Sequence, residues 1–165
     1  MIIRGRVHRF GDSISTDQII AGKYKNRMSD WKELSTHLFE ELVPDFYRKV
    51  KGGDLIVAGK NFGCGSSREA APRVIQESGV RAILAKSFAR IFYRNGFNIG
   101  LPLIECDTSS ISDGSELLVD LGKGQVENIT DGAEISFKPI PAFMLQILLD
   151  GGLVSHFKKF RRFNL

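Results

Sequence analysis

The run Leu55-Ile56-Val57-Ala58, then Gly59-Lys60-Asn61-Phe62-Gly63-Cys64-Gly65-Ser66-Ser67-Arg68, then Glu69 to Ser78 organises the chain around it. Four apolar residues in a row read as a buried strand. Gly79 closes the helix that follows, as its C′ residue. Strand, glycine-rich turn and helix is the unit with which an α/β sheet presents backbone N–H groups and a helix start to an anion. This turn carries two serines, an arginine and a glutamate in succession. Glycines let the backbone approach a ligand closely, and arginine matches a carboxylate with two parallel hydrogen bonds. The loop composition predicts a site for a small acid.

Downstream the alternation of strand and helix continues. Val80 to Ala85 is apolar but for Arg81, which fits a strand covered on both faces. Ser87 is expected to cap a helix from Phe88 to Asn95, ended by Gly96, and Leu101 to Ile104 is a further strand. After Asp107 the character changes. Glu116 to Asp120, Gln125 to Ile129 and Ala133 to Phe137 are three short strands with glycine turns, which predicts antiparallel pairing. Pro141 to Leu149 reads as a helix stopped by Gly151-Gly152.

Upstream, Ile2 to Phe10 is an opening strand with Ile3, Val7 and Phe10 as its apolar residues. Gly11 to Ile20 is turn chemistry with an N-cap at Thr16 or Asp17. Ala21 to Asp30 is a polar, basic loop. Its Lys23, Lys25 and Arg27 suit closure over an anionic substrate, or simply a solvated surface. Trp31, Leu34, Leu38 and Leu42 predict a helix capped by Ser29 or Asp30 and ended by Pro44, with another short turn from Phe46 to Lys51. The fold class is α/β: one domain over 1–165, with a mixed, barrel-like sheet flanked by helices.

The chain has 165 residues, 42% hydrophobic and 25% charged, which is ordinary for a soluble globular protein. No apolar run approaches the roughly 20 residues that span a bilayer, and Met1 to Arg6 lacks a signal-peptide pattern. A cytoplasmic protein is expected, with no membrane partner. The two cysteines, Cys64 and Cys106, form no C-x-x-C. Iron–sulfur clusters take three or four cysteine ligands, so the chain alone is expected to bind no metal and no cofactor. Net charge is +4, part of it in Lys158-Lys159-Phe160-Arg161-Arg162. Such a tail reads as a solvated or subunit-contacting end rather than a nucleic-acid arm. A site for a di- or tricarboxylate also favours a positive field.

Ser66-Ser67-Arg68-Glu69 fits a capping box, in which Ser66 merely satisfies a helix end. Pro72 argues otherwise. Capping at Ser66 would put Pro72 at the sixth helical position, where it removes a hydrogen bond and crowds the preceding turn. A start near Arg68 or Glu69 puts it in the first turn and leaves the serines in the loop. Gly-x-Ser-x-Gly, a Walker motif and a defensible hydrolase triad are absent. Cys64 reads as a small residue packing under the loop rather than a thiolate nucleophile.

Three segments resemble the aconitase superfamily, in its branch of separate small subunits of 3-isopropylmalate dehydratase and homoaconitase. They are Gly11 to Ile20, Ala58 to Glu69, and Ala85 to Asn95 with Asn98 to Pro102. The resemblance implies a swivelling β/β/α domain. It implies a large catalytic subunit that carries a [4Fe–4S] cluster, in a heterodimer or heterotetramer. The reaction it implies is reversible dehydration and rehydration of a small hydroxy di- or tricarboxylate, in which iron acts on the leaving hydroxyl. Isopropylmalate leads, as in leucine biosynthesis. Homocitrate/homoaconitate or a methylated malate comes next. A stand-alone carboxylate-binding module is the reading from another class.

By the same resemblance Ser66 is the base, acting as an alkoxide. Arg68 binds a substrate carboxylate, and Ser67 holds substrate or backbone. Gly63, Cys64, Gly65 and Asp17 support the loop. Tyr24 to Met28 corresponds to the family's specificity loop and departs from its usual pattern. Its Lys25 and Arg27 are candidate substrate ligands that tilt the site toward charge.

Overall fold

The computed structural model describes residues 1–25, 30–66 and 69–161. Seven strands form one mixed sheet. They are β1 (Ile2–Arg9), β2 (Leu55–Ala58), β3 (Ala82–Ala85), β4 (Leu103–Glu105), β5 (Glu116–Asp120), β6 (Gln125–Asn128) and β7 (Glu134–Ser136). Their order is β4-β3-β2-β1-β5-β6-β7. The half from β4 to β1 is parallel, and the half from β1 to β7 is antiparallel. The strand β1 belongs to both: Val7 to Arg9 pair with Leu55 to Val57, while Ile2 to Arg6 pair with β5.

The pattern of apolar residues explains the division. Every residue of β2 and β3 is buried, as strands covered on both faces require. Along them the side chains alternate between two cores. Ile56, Ala58, Ile83 and Ala85 face a helical layer with Phe39, Phe62, Val74 and Phe92. Leu55, Val57, Ala82 and Leu84 face Ile3, Val7, Leu117, Val119 and Val126. The sheet curls around this second core. At its seam, residues of β4 and the segment Phe137 to Pro141 line one cavity of about 250 Å³.

The helices are α1 (Thr16–Ile19), α2 (Gly22–Lys25), α3 (Trp31–Ser35), α4 (Phe46–Lys49), α5 (Ala70–Glu77), α6 (Arg90–Asn98), α7 (Ala142–Leu149) and α8 (Leu153–Phe160). Pro72 is the third residue of α5, inside the first turn, and Gly79 follows with φ +94°. Both agree with expectation.

Five expectations are corrected. Ala21 to Asp30, read as a loop, holds the helix α2 within its described residues. The helix read from Trp31 to Leu42 stops at Ser35. The Ser35 and Thr36 hydroxyls bond back to Lys32 O and Glu33 O, both at 2.7 Å, and compete with the helix. Phe39 takes φ +52°, bonds Ile19 O at 3.0 Å and stacks on Phe10 at 4.2 Å. Packing outweighs the helical period there. Next, α6 runs through Gly96, because a Cβ at that position would come within 2.7 Å of the buried Leu103 side chain. Ser87 does not cap α6; its Oγ accepts from Asn61 N at 2.9 Å. Finally, α1 is capped by Ser15 in a capping box with Gln18, one residue earlier than expected.

The helix α8 was not anticipated, since the segment read only as a basic tail. Its signal is the spacing of Leu153, His156, Phe157 and Phe160. The α7–α8 turn closes on Asp150, whose side chain is 5% exposed. Its carboxylate accepts from Lys159 Nζ at 2.7 Å and lies 2.6 Å from His156 Nδ1. Lys159 first, then His156, holds its pKa down, at about 2.

Two predictions follow from this packing. A Cβ at Gly5 would overlap the backbone carbonyl of Gly53, which cannot rotate away. Gly5→Ala is expected to lower the unfolding free energy by about 1–3 kcal/mol, read from the urea midpoint. An unchanged or higher midpoint would show that the sheet yields there. A carboxylate with a depressed folded pKa stabilises the fold above its unfolded pKa and loses that contribution as pH falls toward the folded value. Asp150→Asn should therefore be less stable than the parent at neutral pH, and the gap should close as pH drops below about 4. A gap that stays constant down the acid range would remove Asp150 from the account.

Candidate active site

The loop after β2 is built as an extra rung beyond the parallel strands. Gly59 N donates to Gly11 O (3.1 Å) and Lys60 N to Asp12 Oδ1 (2.6 Å). Asn61 N donates to Ser87 Oγ (2.9 Å), Phe62 N to Ser87 O (3.0 Å) and Gly63 N to Ile14 O (2.8 Å). In return Cys64 O accepts from Thr16 N (2.8 Å), and Phe62 O from Ala89 N (2.9 Å). The loop thus lies parallel to the segments that follow β1 and β3. Ligands of open α/β sheets collect at this carboxyl end of parallel strands.

These bonds correct one part of the anion-cradle reading. The amides of Gly59 to Gly63 serve the neighbouring loops, so they are not donors for an anion. Gly63 (φ +78°) and Gly65 (φ +93°) turn the chain in the left-handed region. At Gly63 a Cβ would also overlap the Phe92 ring. Cys64 is half-buried, with its Sγ 3.4 Å from Ser13 O. The other cysteine, Cys106, has its thiol pushed up to about 11 by burial, and then by the Asp107 charge, which keeps it protonated and unreactive.

Ser66 is exposed at the end of this rung. Its carbonyl accepts from the buried Thr16 hydroxyl at 2.9 Å. It precedes α5 by four residues, and that helix has no side-chain cap bond at Glu69. The capping-box reading of Ser66 therefore fails. Asp17 lies in the first turn of α1, on the exposed side of the same stitched segment. Lys25 ends α2. Arg27, Ser67 and Arg68 lie outside the described residues.

Ser66 opens on a cavity of about 430 Å³, a size that suits a small ligand. One wall is Thr16, Gly63, Gly65 and Ser66. The other is the start of α6, with Arg90, Ile91, Arg94 and Asn95 among its residues. Sequence reasoning assigned no role to Thr16 beyond a helix cap, and none to Arg90, Arg94 or Asn95. The available signal was the four-residue spacing of the two arginines on a helix that begins just after β3. At the far end of the segment after β1, Tyr24 is anchored. Its hydroxyl donates to Glu40 Oε2 at 2.7 Å, and its ring stacks on His37 at 3.8 Å. The Glu40 bond raises the phenol pKa, so Tyr24 stays a donor.

The model of the Aconitase C-terminal domain family matches residues 14–108. That span holds every residue lining the Ser66 cavity. A 3-isopropylmalate dehydratase small subunit from Archaeoglobus fulgidus is 58% identical over 94% of this chain and 94% of its own. A methanogen homoaconitase small subunit from Methanothermobacter thermautotrophicus is 54% identical over 96% of this chain and 92% of its own. The crystal structure of a 3-isopropylmalate dehydratase from Methanocaldococcus jannaschii superposes with a TM-score of 0.92 at 46% identity, covering 98% of this chain and 96% of that one. By these likenesses and by its curled, half-parallel sheet, the chain belongs to the aconitase C-terminal domain family, among its separate small subunits.

Proposed function

We propose that this chain is the small subunit of a hydro-lyase that isomerises a small hydroxy acid by reversible dehydration and rehydration, with 3-isopropylmalate as first substrate. The observation that carries the reading is Ser66, fixed through its own carbonyl at the mouth of a cavity of about 430 Å³. In this reading Ser66 Oγ takes the proton from the carbon beside a substrate carboxylate. The C–H pair becomes the new double bond, the hydroxyl on the neighbouring carbon leaves with a proton as water, and hydration in the opposite sense completes the isomerisation. A serine hydroxyl is a very weak acid, so its alkoxide needs nearby positive charge in a site with little water. Arg68, two residues on, is assigned to a substrate carboxylate, with Ser67, Lys25 and Arg27 as further ligands.

The chain's two cysteines do not amount to the ligand set of a [4Fe–4S] cluster. The cluster and the step it supports are therefore assigned to the large subunit. The whole chain acts as one unit in the cytoplasm. Among the described residues no helix is long and apolar enough to cross a membrane. Homoaconitase is the second reading. A relative named for it is nearly as similar as one named for 3-isopropylmalate dehydratase, and the cationic cavity wall suits a third carboxylate.

Mixing the chain with its large subunit should produce an unsaturated acid, followed by ultraviolet absorbance, from an isopropylmalate or a homocitrate. Silence across a panel of hydroxy acids would favour a carboxylate-binding module. Ser66→Ala should lower kcat by about 10²–10⁴-fold and leave subunit assembly intact; retained turnover would remove Ser66 as the base. Arg68→Lys should raise KM, because a point charge cannot replace the bidentate fork. Unchanged kinetics would make Arg68 structural.

A further inference from the structure

The arginine wall of the cavity has no role in the proton transfer. Arg90 and Arg94 stand one turn apart on α6, with Ile91 and Asn95 in the adjoining row. Phe92 and Gly96 turn to the buried side of the same helix. Both arginines are exposed, and among the described residues no carboxylate pairs with either. This contrasts with Arg73, two elements earlier in the chain, which pairs with Glu77 at 2.7 Å along its own helix. Asn95 is half-buried and brings two amide donors to the same wall. The two guanidiniums border the Ser66 cavity and a second one, of about 400 Å³, that they share with Glu105, and they bring positive charge to the cleft they form with Ser66.

We propose that Arg90, Arg94 and Asn95 form a carboxylate-binding subsite of the Ser66 cavity. Its ligand is the carboxylate of the di- or tricarboxylate that lies farthest from the carbon losing its proton. The assignment rests on the reaction proposed for Ser66. Arginine is the fitting residue, because its planar fork holds a carboxylate through two parallel bonds. Ile91, exposed in the same wall, gives the substrate's carbon chain an apolar surface to lie on. A substrate gripped here would reach across the cavity, so that its acidic C–H lies toward the serine wall. The subsite acts on binding rather than on the chemical step, and its loss should appear in KM.

The test is kinetic, with the reconstituted complex and Arg90→Gln, Arg94→Gln and Arg94→Lys chains, each titrated with substrate and with large subunit. Each Gln variant should raise KM at least about tenfold with kcat nearly unchanged. The half-saturating amount of large subunit should stay that of the parent, and Arg94→Lys should fall between the two. A parental KM with a raised demand for large subunit would overturn the subsite and make the wall a docking surface. No change in either quantity would overturn it as well. If the parent complex turns over no hydroxy acid, the reaction reading fails separately, and binding decides the subsite. Tricarballylate, an unreactive tricarboxylate, titrated into ¹⁵N-labelled chain should then shift the Arg90 and Arg94 Nε–H and Asn95 amide resonances saturably, and Arg94→Gln should abolish the effect. The absence of a saturable shift would overturn the proposal.

Discussion

Five successive amides, Gly59 to Gly63, find their acceptors in two other loops and none within their own. Each such bond contributes only about 1 kcal/mol net, but a buried amide left without a partner costs about 1–3 kcal/mol. The loop therefore holds its shape only while the segments after β1 and β3 lie alongside it. That alignment comes from the parallel pairing of β1, β2 and β3 below. A slip of one residue would turn every side chain in β2 to the opposite core and carry the loop with it. Ser66 is thus placed by strand register, through Thr16 on one side and Phe62 against Ala89 on the other. The same bonds use up the amides that a glycine-rich turn usually offers to an anion. Positive charge for a bound acid must then come from side chains.

Much of the fold was legible because its signals are local. The apolar runs of β2 and β3, the alternation in β5 and β6, Pro72 in the first turn of α5 and Gly79 after it all depend on neighbours a few residues away. The misread elements depend on distant partners. Leu38 and Leu42 keep a helical period with Trp31 and Leu34, yet Phe39 is drawn out of the helix by Phe10 and Ile19. Gly96 looked like a stop and is instead a space for Leu103. Ser87 looked like a cap and instead closes a bond to the loop after β2. In each case a tertiary contact outweighed a local preference of about 1 kcal/mol or less.

The site divides in the same way. Ser66 could be singled out because glycines, serines and an arginine sit together in the chain. Arg90, Arg94 and Asn95 could not, since they are brought beside Ser66 only by the parallel pairing of β2 with β3 and the crossover through α5. Thr16 hid behind a cap reading that the structure moves to Ser15: it is the first residue of α1, and its hydroxyl is spent on Ser66 O. A residue that positions another leaves no motif of its own when the bond spans 50 positions.

The two halves of the sheet carry different burdens. Every residue lining the Ser66 cavity lies between the ends of β1 and β4, and the family match stops at residue 108, before β5 begins. The antiparallel half adds no side chain to that cavity. It closes the second core, with Leu117, Val119 and Val126 packed against Leu55, Val57 and Leu84. The strand β2 is the link, because it turns Leu55 and Val57 to one core and Ile56 and Ala58 to the other before running into the loop. Loosening β5 to β7 would therefore reach Ser66 through β1, which pairs with β5, and through β2, as a loss of register or stability. It would remove no group from the cavity itself.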